Sequence, residues 1–89
     1  MGRQLRMLGA AEMAKSVIGY VLIVTDVGKE HEVVNELMKI EGVTEAQTVY
    51  GEFDILCKVE CNDLKSLDSA ITKVRKIQNV IRTMTLISG

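Results

Sequence analysis

The chain has 89 residues, with 11 lysines and arginines against 12 aspartates and glutamates, a net charge of −1. This length makes one domain with a modest core, and it buries only about 60–65% of its unfolded surface, so we expect a partner chain to add stability. The near-neutral charge argues against a protein that holds nucleic acid through phosphates. There is no proline or tryptophan, and the three aromatic residues, Tyr20, Tyr50 and Phe53, are too few for large stacking surfaces.

Residues 1–17 differ from the rest of the chain. They hold Arg3, Arg6 and Lys15 against Glu12, which leaves 8 basic and 11 acidic residues, a net charge of −3, in residues 18–89. We divide the chain into an N-terminal extension over residues 1–17, to which we assign no function, and a folded domain over residues 18–89. For the extension, a short helix, a frayed arm and an upstream addition all remain open.

From Ile18 onward the pattern predicts strand, helix, strand, strand, helix, strand. The strands are predicted over residues 18–25, 43–50, 54–61 and 80–87, and the helical stripes are Val33, Val34, Leu37, Met38 and Ile40, then Leu64, Leu67, Ile71 and Val74. Asn62 or Asp63 can cap the second helix. The segment ending in Gly42-Val43 is echoed by one ending in Asn79-Val80, and glycine and asparagine both suit the left-handed conformation that ends a helix. The sequence therefore predicts an α+β, ferredoxin-like βαββαβ fold, with a four-stranded antiparallel sheet and two helices on one face.

The first and last strands are apolar on both of their faces. In the first strand Tyr20, Leu22 and Val24 oppose Val21 and Ile23, and in the last Val80, Met84 and Leu86 oppose Ile81 and Ile87. Two helices cover only one face of a sheet, so the other would expose a large apolar patch. We therefore expect an obligate homodimer, with further assembly.

Few residues in the chain suit catalysis, metal binding or membrane insertion. His31 is the single histidine and lies in a polar stretch, Glu52 and Asp54 are more typical of a turn than of an acid/base pair, and the seven glycines form no phosphate-binding loop. Cys57 and Cys61 would lie about 13 Å apart on one strand, too far for a disulfide. No apolar run approaches the roughly 18 residues of a membrane span. We predict a cytoplasmic protein with free buried thiols and without catalytic residues, a resident metal or a cofactor.

The segment Tyr50-Gly51-Glu52-Phe53-Asp54 holds two of the three aromatic residues, a glycine and two carboxylates. Its carboxylates could accept hydrogen bonds from a ligand ammonium group, while backbone amides and the hydroxyls of Thr83 and Thr85 could donate to a ligand carboxylate. These groups suit a small zwitterion. An ordinary hairpin, with Asp54 accepting turn amides and the threonines serving as strand formers, explains the same residues equally well.

These segments resemble a known family. The run Gly51-Glu-Phe-Asp-Ile-Leu, with the preceding Gly42-Val43-x-x-Ala46 and the closing Val80-x-Arg82-Thr83-x-Thr85, is similar to the RAM domain, the effector-binding half of Lrp/AsnC (feast/famine) transcriptional regulators. The resemblance covers residues 18–88. Val27 stands where the family often has a proline, a difference at the helix entry rather than in the pocket.

The resemblance implies a dimeric barrel-like unit that assembles into octamers or similar rings and binds amino-acid effectors between dimers. By position it implies that Gly51, Glu52 and Asp54 frame the ligand, with Thr83 and Thr85 nearby; we add Tyr50 and Phe53 as ligand-binding candidates. Residues 1–17 are too few for a helix-turn-helix domain, so we expect a stand-alone RAM protein. It would sense an amino acid itself or co-assemble with a full-length regulator, without touching nucleic acid directly.

Three other classes share the predicted topology. An RNA-binding domain would need stacking aromatic residues on its central strands, and Asp54-Ile-Leu-Cys-Lys-Val59 has none. A small dimeric barrel enzyme would need a buried histidine or acid, for which His31 is poorly placed. An ACT-type regulatory domain is the nearest alternative, with a ligand loop after the first strand at Asp26-Val27-Gly28.

Overall fold

The computed structural model describes residues 17–88. Its elements are β1 (Val17–Thr25), α1 (Glu30–Leu37), β2 (Val43–Thr48), β3 (Ile55–Cys61), α2 (Leu64–Arg75) and β4 (Val80–Ser88). The strands form one antiparallel sheet in the order β2-β3-β1-β4. The predicted ferredoxin-like fold is confirmed. Apart from Val17, which opens β1, the extension over residues 1–17 lies outside the described residues.

The sheet buries one face, which we call the helix face, beneath both helices. In β1, Val21 and Ile23 are fully buried there and lie opposite Cys57 and Ile55 of β3. The helices complete the core with Val33, Leu37, Leu67, Ala70, Ile71 and Val74. Cys57 and Cys61 both point into this layer, where both side chains are buried.

Within residues 17–88 no helix covers the opposite face of the sheet, which we call the open face. The register brings seven apolar residues together there: Ile18, Tyr20, Leu22, Val24, Leu56, Met84 and Leu86. Met84 is 47% and Leu86 is 54% exposed. The expected uncovered apolar face is therefore present in the single subunit.

One residue of β4 lies on the other face from the one predicted. The β1–β4 register shifts at Val24/Thr25, so that Thr25 lies opposite Val80 and Val24 lies opposite Arg82, with Ile81 as the extra residue between them. Because side chains alternate along a strand, this bulge moves Val80 to the helix face, where it packs against the core. The prediction for Val80 was wrong, whereas Met84 and Leu86 lie on the open face as predicted.

Local hydrogen bonds explain where the helices begin and end. Asp63 caps α2, because its Oδ1 accepts the Ser66 backbone N–H at 2.8 Å, and this hydrogen bond lowers the pKa of the carboxyl. The predicted left-handed conformations are present, with φ of 104° at Gly42 and 80° at Asn79. The helices themselves end earlier, at Leu37 and Arg75, so these two residues turn the chain into β2 and β4 and do not end the helices. Neither helix of residues 17–88 has the length and apolarity that crossing a bilayer would need.

The predicted helical stripes were wrong at one position in each helix. Leu64 is the first residue of α2 and is 61% exposed, while Ala70 fills the core beside Ile71. Met38 follows the end of α1 and is half exposed. Regular apolar spacing in the sequence can include residues at or beyond the ends of a helix. Such residues need not pack on the sheet, since the first and last turns can lie beyond its edge.

Burial of Cys57 predicts a pH dependence of stability. Desolvation raises the pKa of the Cys57 thiol from 9.0 to about 11, so the folded state holds this proton longer than the unfolded chain does. The stabilising contribution is complete below pH 9 and is lost as the pH rises towards 11. We expect urea titrations to show that the free energy of unfolding falls less steeply over this range in Cys57→Val than in the wild type. Equal slopes would contradict the assignment.

Candidate functional site

The base of the loop between β2 and β3 is fixed to two strands. The Val49 N–H donates to the Asp54 carbonyl at 2.9 Å, and the Asp54 N–H donates to the Ile23 carbonyl of β1 at 2.8 Å. The loop therefore leaves the sheet from a defined position, at the end where β1 finishes and β3 begins.

The side chain of Asp54 strengthens this anchor. Its Oδ2 accepts the backbone N–H of Thr25 at 2.9 Å, and Thr25 is only 4% exposed. A buried N–H without a partner costs about 1–3 kcal/mol, so Asp54 has a structural role at the end of β1. One carboxylate oxygen of Asp54 is thus occupied by the hydrogen bond that holds the hairpin to β1.

The tip of the loop projects away from the rest of the chain. Tyr50 is fully exposed and Glu52 is exposed. Gly51 has a φ of 130°, and a Cβ placed on it would have no heavy atom of the described chain within 4 Å. Only glycine adopts this backbone conformation easily. The space around Gly51 is open, so packing against the rest of the described chain does not require a glycine here. The tip is therefore free to contact another molecule.

Phe53 has a partner that the sequence reasoning did not select. The guanidinium carbon of Arg82 lies 5.3 Å from the centre of the Phe53 ring, a cation–π contact. Arg82 is the single charged residue of β4 and lies opposite Val24 on the open face. A lone arginine in an otherwise uncharged strand was the available signal, and it places a cation beside the acidic loop.

The two threonines lie on the other side of the sheet from Arg82. Thr83 is opposite Ile23 and Thr85 is opposite Val21, so both face the helices and are half buried. The Ile23 carbonyl on β1 accepts the hydrogen bond from the Asp54 N–H, and Thr83 lies on the neighbouring strand β4, directly opposite Ile23. Thr85 lies two residues further along β4. One subunit therefore holds the base of the loop and Thr83 at the same end of the sheet, with both threonines on the helix face.

The remaining candidates for chemistry stay apart. His31 is exposed on α1. Within residues 17–88 no three histidine, cysteine, aspartate or glutamate side chains are grouped as a metal site would need. The loop and its surroundings offer hydrogen-bonding groups, charges and apolar surface.

The two roles of Asp54 can be separated by substitution. Asp54→Ala removes the acceptor of the buried Thr25 N–H, and we expect a loss of about 1–3 kcal/mol in the free energy of unfolding. Asp54→Asn keeps an oxygen in place and should lose less than half as much. Urea denaturation measures both. Equal losses would show that the negative charge, rather than the hydrogen bond, stabilises this end of β1.

The described residues thus combine an uncovered apolar sheet face with a projecting polar loop. The Lrp/AsnC ligand binding domain family matches residues 19–88, most of the chain. The chain therefore belongs to this family, whose members include transcriptional regulators.

Curated relatives are longer than this chain. An uncharacterised HTH-type transcriptional regulator from Pyrococcus furiosus is 38% identical over 60 residues, covering 66% of this chain and 40% of the regulator. A homocitrate synthase from Sulfolobus acidocaldarius is 38% identical over 53 residues, covering 60% of this chain and 11% of the synthase. The chain thus spans less than half the length of either relative.

Solved structures share the fold. A hypothetical protein from Pyrococcus horikoshii has 45% identity and a TM-score of 0.76, covering 81% of this chain and 88% of that one. A feast or famine regulatory protein from M. tuberculosis, complexed with L-methionine, has 24% identity and a TM-score of 0.73, covering 98% of this chain and 58% of that one. The match covers 88% of the Pyrococcus horikoshii protein, so the same domain makes up nearly all of a chain of similar size.

Proposed function

We propose that the protein is an amino-acid-sensing and assembly module that regulates transcription or amino-acid metabolism. The observation that carries this proposal is the loop tip, where Tyr50, Gly51 and Glu52 project from a rigid base with no packing role in their own subunit. A ligand that binds such a tip needs a second wall, which a neighbouring subunit can provide. Ligand binding and subunit assembly are then coupled equilibria, because each stabilises the product of the other.

The proposed effector site lies between dimers and uses Tyr50, Gly51, Glu52, Phe53, Asp54, Thr83 and Thr85. Glu52 offers an acceptor for an ammonium group, while Arg82 adds a cation that can meet a carboxylate. Thr83 and Thr85 lie on the helix face of β4, and their hydroxyls would contact the ligand from that face, whereas Arg82 would contact it from the open face. The L-methionine bound to the mycobacterial structure supports an amino acid as the ligand class.

The proposed assembly begins with a homodimer through the open face. Seven apolar residues lie together there, and a second copy placed face to face would cover all of them without exposing a new apolar patch. Contacts through the loop would then join dimers into an octamer or a similar ring. A full-length Lrp/AsnC regulator carries the same domain and could replace one copy, which makes co-assembly a second mode of action.

The experiment is a thermal-shift screen of the twenty amino acids at about 10 mM, a level at which a Kd of 0.1 mM gives about 2.7 kcal/mol of stabilisation. Light scattering of the protein, with and without each amino acid that stabilises it, then tests for a change in oligomer size. We expect one or a few to raise the melting temperature and shift the assembly. If none stabilises the protein at this concentration, the sensing proposal fails.

The homocitrate synthase match favours a second candidate, a regulatory subunit or segment for a biosynthetic enzyme. This is the role expected of an ACT-like domain, with a ligand loop at Asp26-Val27-Gly28, where Gly28 has a φ of 83°. Gly28→Ala strains that loop, whereas Gly51→Ala strains the β2–β3 loop. Loss of the amino-acid effect in the first variant but not the second would favour this candidate.

A further inference from the structure

A cavity of about 470 Å³ lies on the helix face, between the start of α2 and the turn that precedes β2. Its volume is within the range of small-molecule sites, about 300–1,000 Å³. The walls are formed by Glu41, Gly42, Glu60, Cys61, Asn62, Lys65, Ser66, Ser69, Ala70 and Lys73. None of these residues belongs to the proposed effector loop.

One wall of the cavity is cationic. Lys65 and Lys73 lie on one side of α2 with Ser69 midway between them, because residues four apart share a helix side. Neither lysine forms an ion pair within 4 Å with any residue of the described chain 17–88. The Asp63 carboxylate near Lys65 is fully exposed and caps the helix, so its attraction for Lys65 is screened by solvent. Two ammonium groups therefore remain for an anionic ligand.

Two acidic residues, Glu60 and Glu41, line the opposite wall. Because side chains alternate along β3, the Glu60 carboxylate lies on the open face with Leu56, where its Oε2 accepts from the Thr44 hydroxyl at 3.0 Å and lies 3.6 Å from the Lys58 ammonium. Glu41 forms no such pair with residues 17–88. The matching ligand consequently carries two anionic groups for the lysines and one cationic group for Glu41.

The floor of the cavity depends on a glycine. Gly42 has a φ of 104°, and a Cβ on it would lie 3.1 Å from the Cys61 sulfur. A larger residue would thus both strain the turn and crowd Cys61 and Val59 beneath the cavity.

We propose that this cavity binds a small amino dicarboxylate, such as L-glutamate or L-aspartate, within a single subunit. The site is separate from the effector loop and does not depend on the proposed function. It lies on the helix face, so a dimer formed through the open face leaves it accessible.

The test is a titration of the full chain with L-glutamate, followed by calorimetry and by backbone amide NMR shifts. We expect saturable shifts at Glu41, Gly42 and the first two turns of α2. Succinate, which lacks the ammonium group, should bind about tenfold more weakly because Glu41 then has no partner. In Glu41→Gln the preference for glutamate over succinate should disappear.

A pair of lysine variants supplies the control. Lys73→Gln should raise the Kd for L-glutamate about tenfold, the effect of one charge-assisted hydrogen bond. Lys76→Gln makes the same charge change just beyond the end of the same helix, outside this cavity, and should leave the Kd within twofold. Shifts confined to the Gly51 loop, equal effects of the two variants, or no shifts at about 10 mM ligand would each overturn the proposal. The first of these outcomes would leave the loop site intact, so failure here is distinguishable from failure of the proposed function.

Discussion

Leu22→Asp is expected to convert the proposed dimer into a folded monomer. Leu22 lies at the centre of the open face, between Leu56 on β3 and Met84 on β4. A carboxylate buried there without a partner costs about 3–5 kcal/mol, so the dissociation constant of the dimer should rise about a thousandfold. Analytical ultracentrifugation at micromolar concentration would show the change, and far-ultraviolet circular dichroism would show that the subunit stays folded.

Leu64→Asp is the matched control for this experiment. It makes the same substitution at an exposed leucine, but at the first residue of α2, where a carboxylate is favourable near the helix N-terminus. The dimer should be unaffected. If Leu22→Asp fails to fold, Met84→Lys introduces a charge on the same face at a half-exposed position. Dimers that persist in both open-face variants would rule out this face as the interface.

Leu37→Ala should produce the largest loss of stability that a single side chain of α1 can give. Leu37 is fully buried at the end of α1, and truncation of a buried leucine to alanine costs about 2–5 kcal/mol. For a domain of this size the melting temperature should fall by roughly 10–30 °C. Thermal unfolding must be compared at one protein concentration, because assembly would itself stabilise the folded chain.

Leu64→Ala provides the comparison for the core. Leu64 is 61% exposed and alanine is a strong helix former, so the free energy of unfolding should change by less than about 0.5 kcal/mol. A similar loss in both variants would mean that Leu64 is covered in the assembled protein. That outcome would place α2 in a subunit contact and contradict a dimer formed through the open face alone.

The regular elements were predictable because their signals are local. Gly42 and Asn79 mark the turns between each helix and the strand that follows it through a property of each residue alone, and Asp63 precedes its helix with the side chain that a cap requires. The face of Val80 was not predictable in this way. It depends on a bulge in the β1–β4 register, which is set by pairing between strands that are 55 residues apart at Thr25 and Val80.

The candidate site was predictable in part for the same reason. The loop from Tyr50 to Asp54 is one contiguous segment, so its glycine and carboxylates could be recognised together. The Arg82 contact with Phe53 joins a loop to a distant strand, and the α2 cavity joins three separate segments. Charged residues on separate helices and turns look like ordinary solvated surface until the fold brings them together.

The pairing of Ile18 with Ser88 places the two ends of the domain on neighbouring strands, about 5 Å apart at the Cα atoms. A domain with adjacent ends can be inserted into a loop of a host protein, or joined end to end and reopened elsewhere, without separating strands that are already paired. The exposed tip at Gly51 is a suitable place for new ends, since no other part of the described chain packs against it. This geometry makes the domain portable: it can be inserted within a host protein as readily as it can be appended to one.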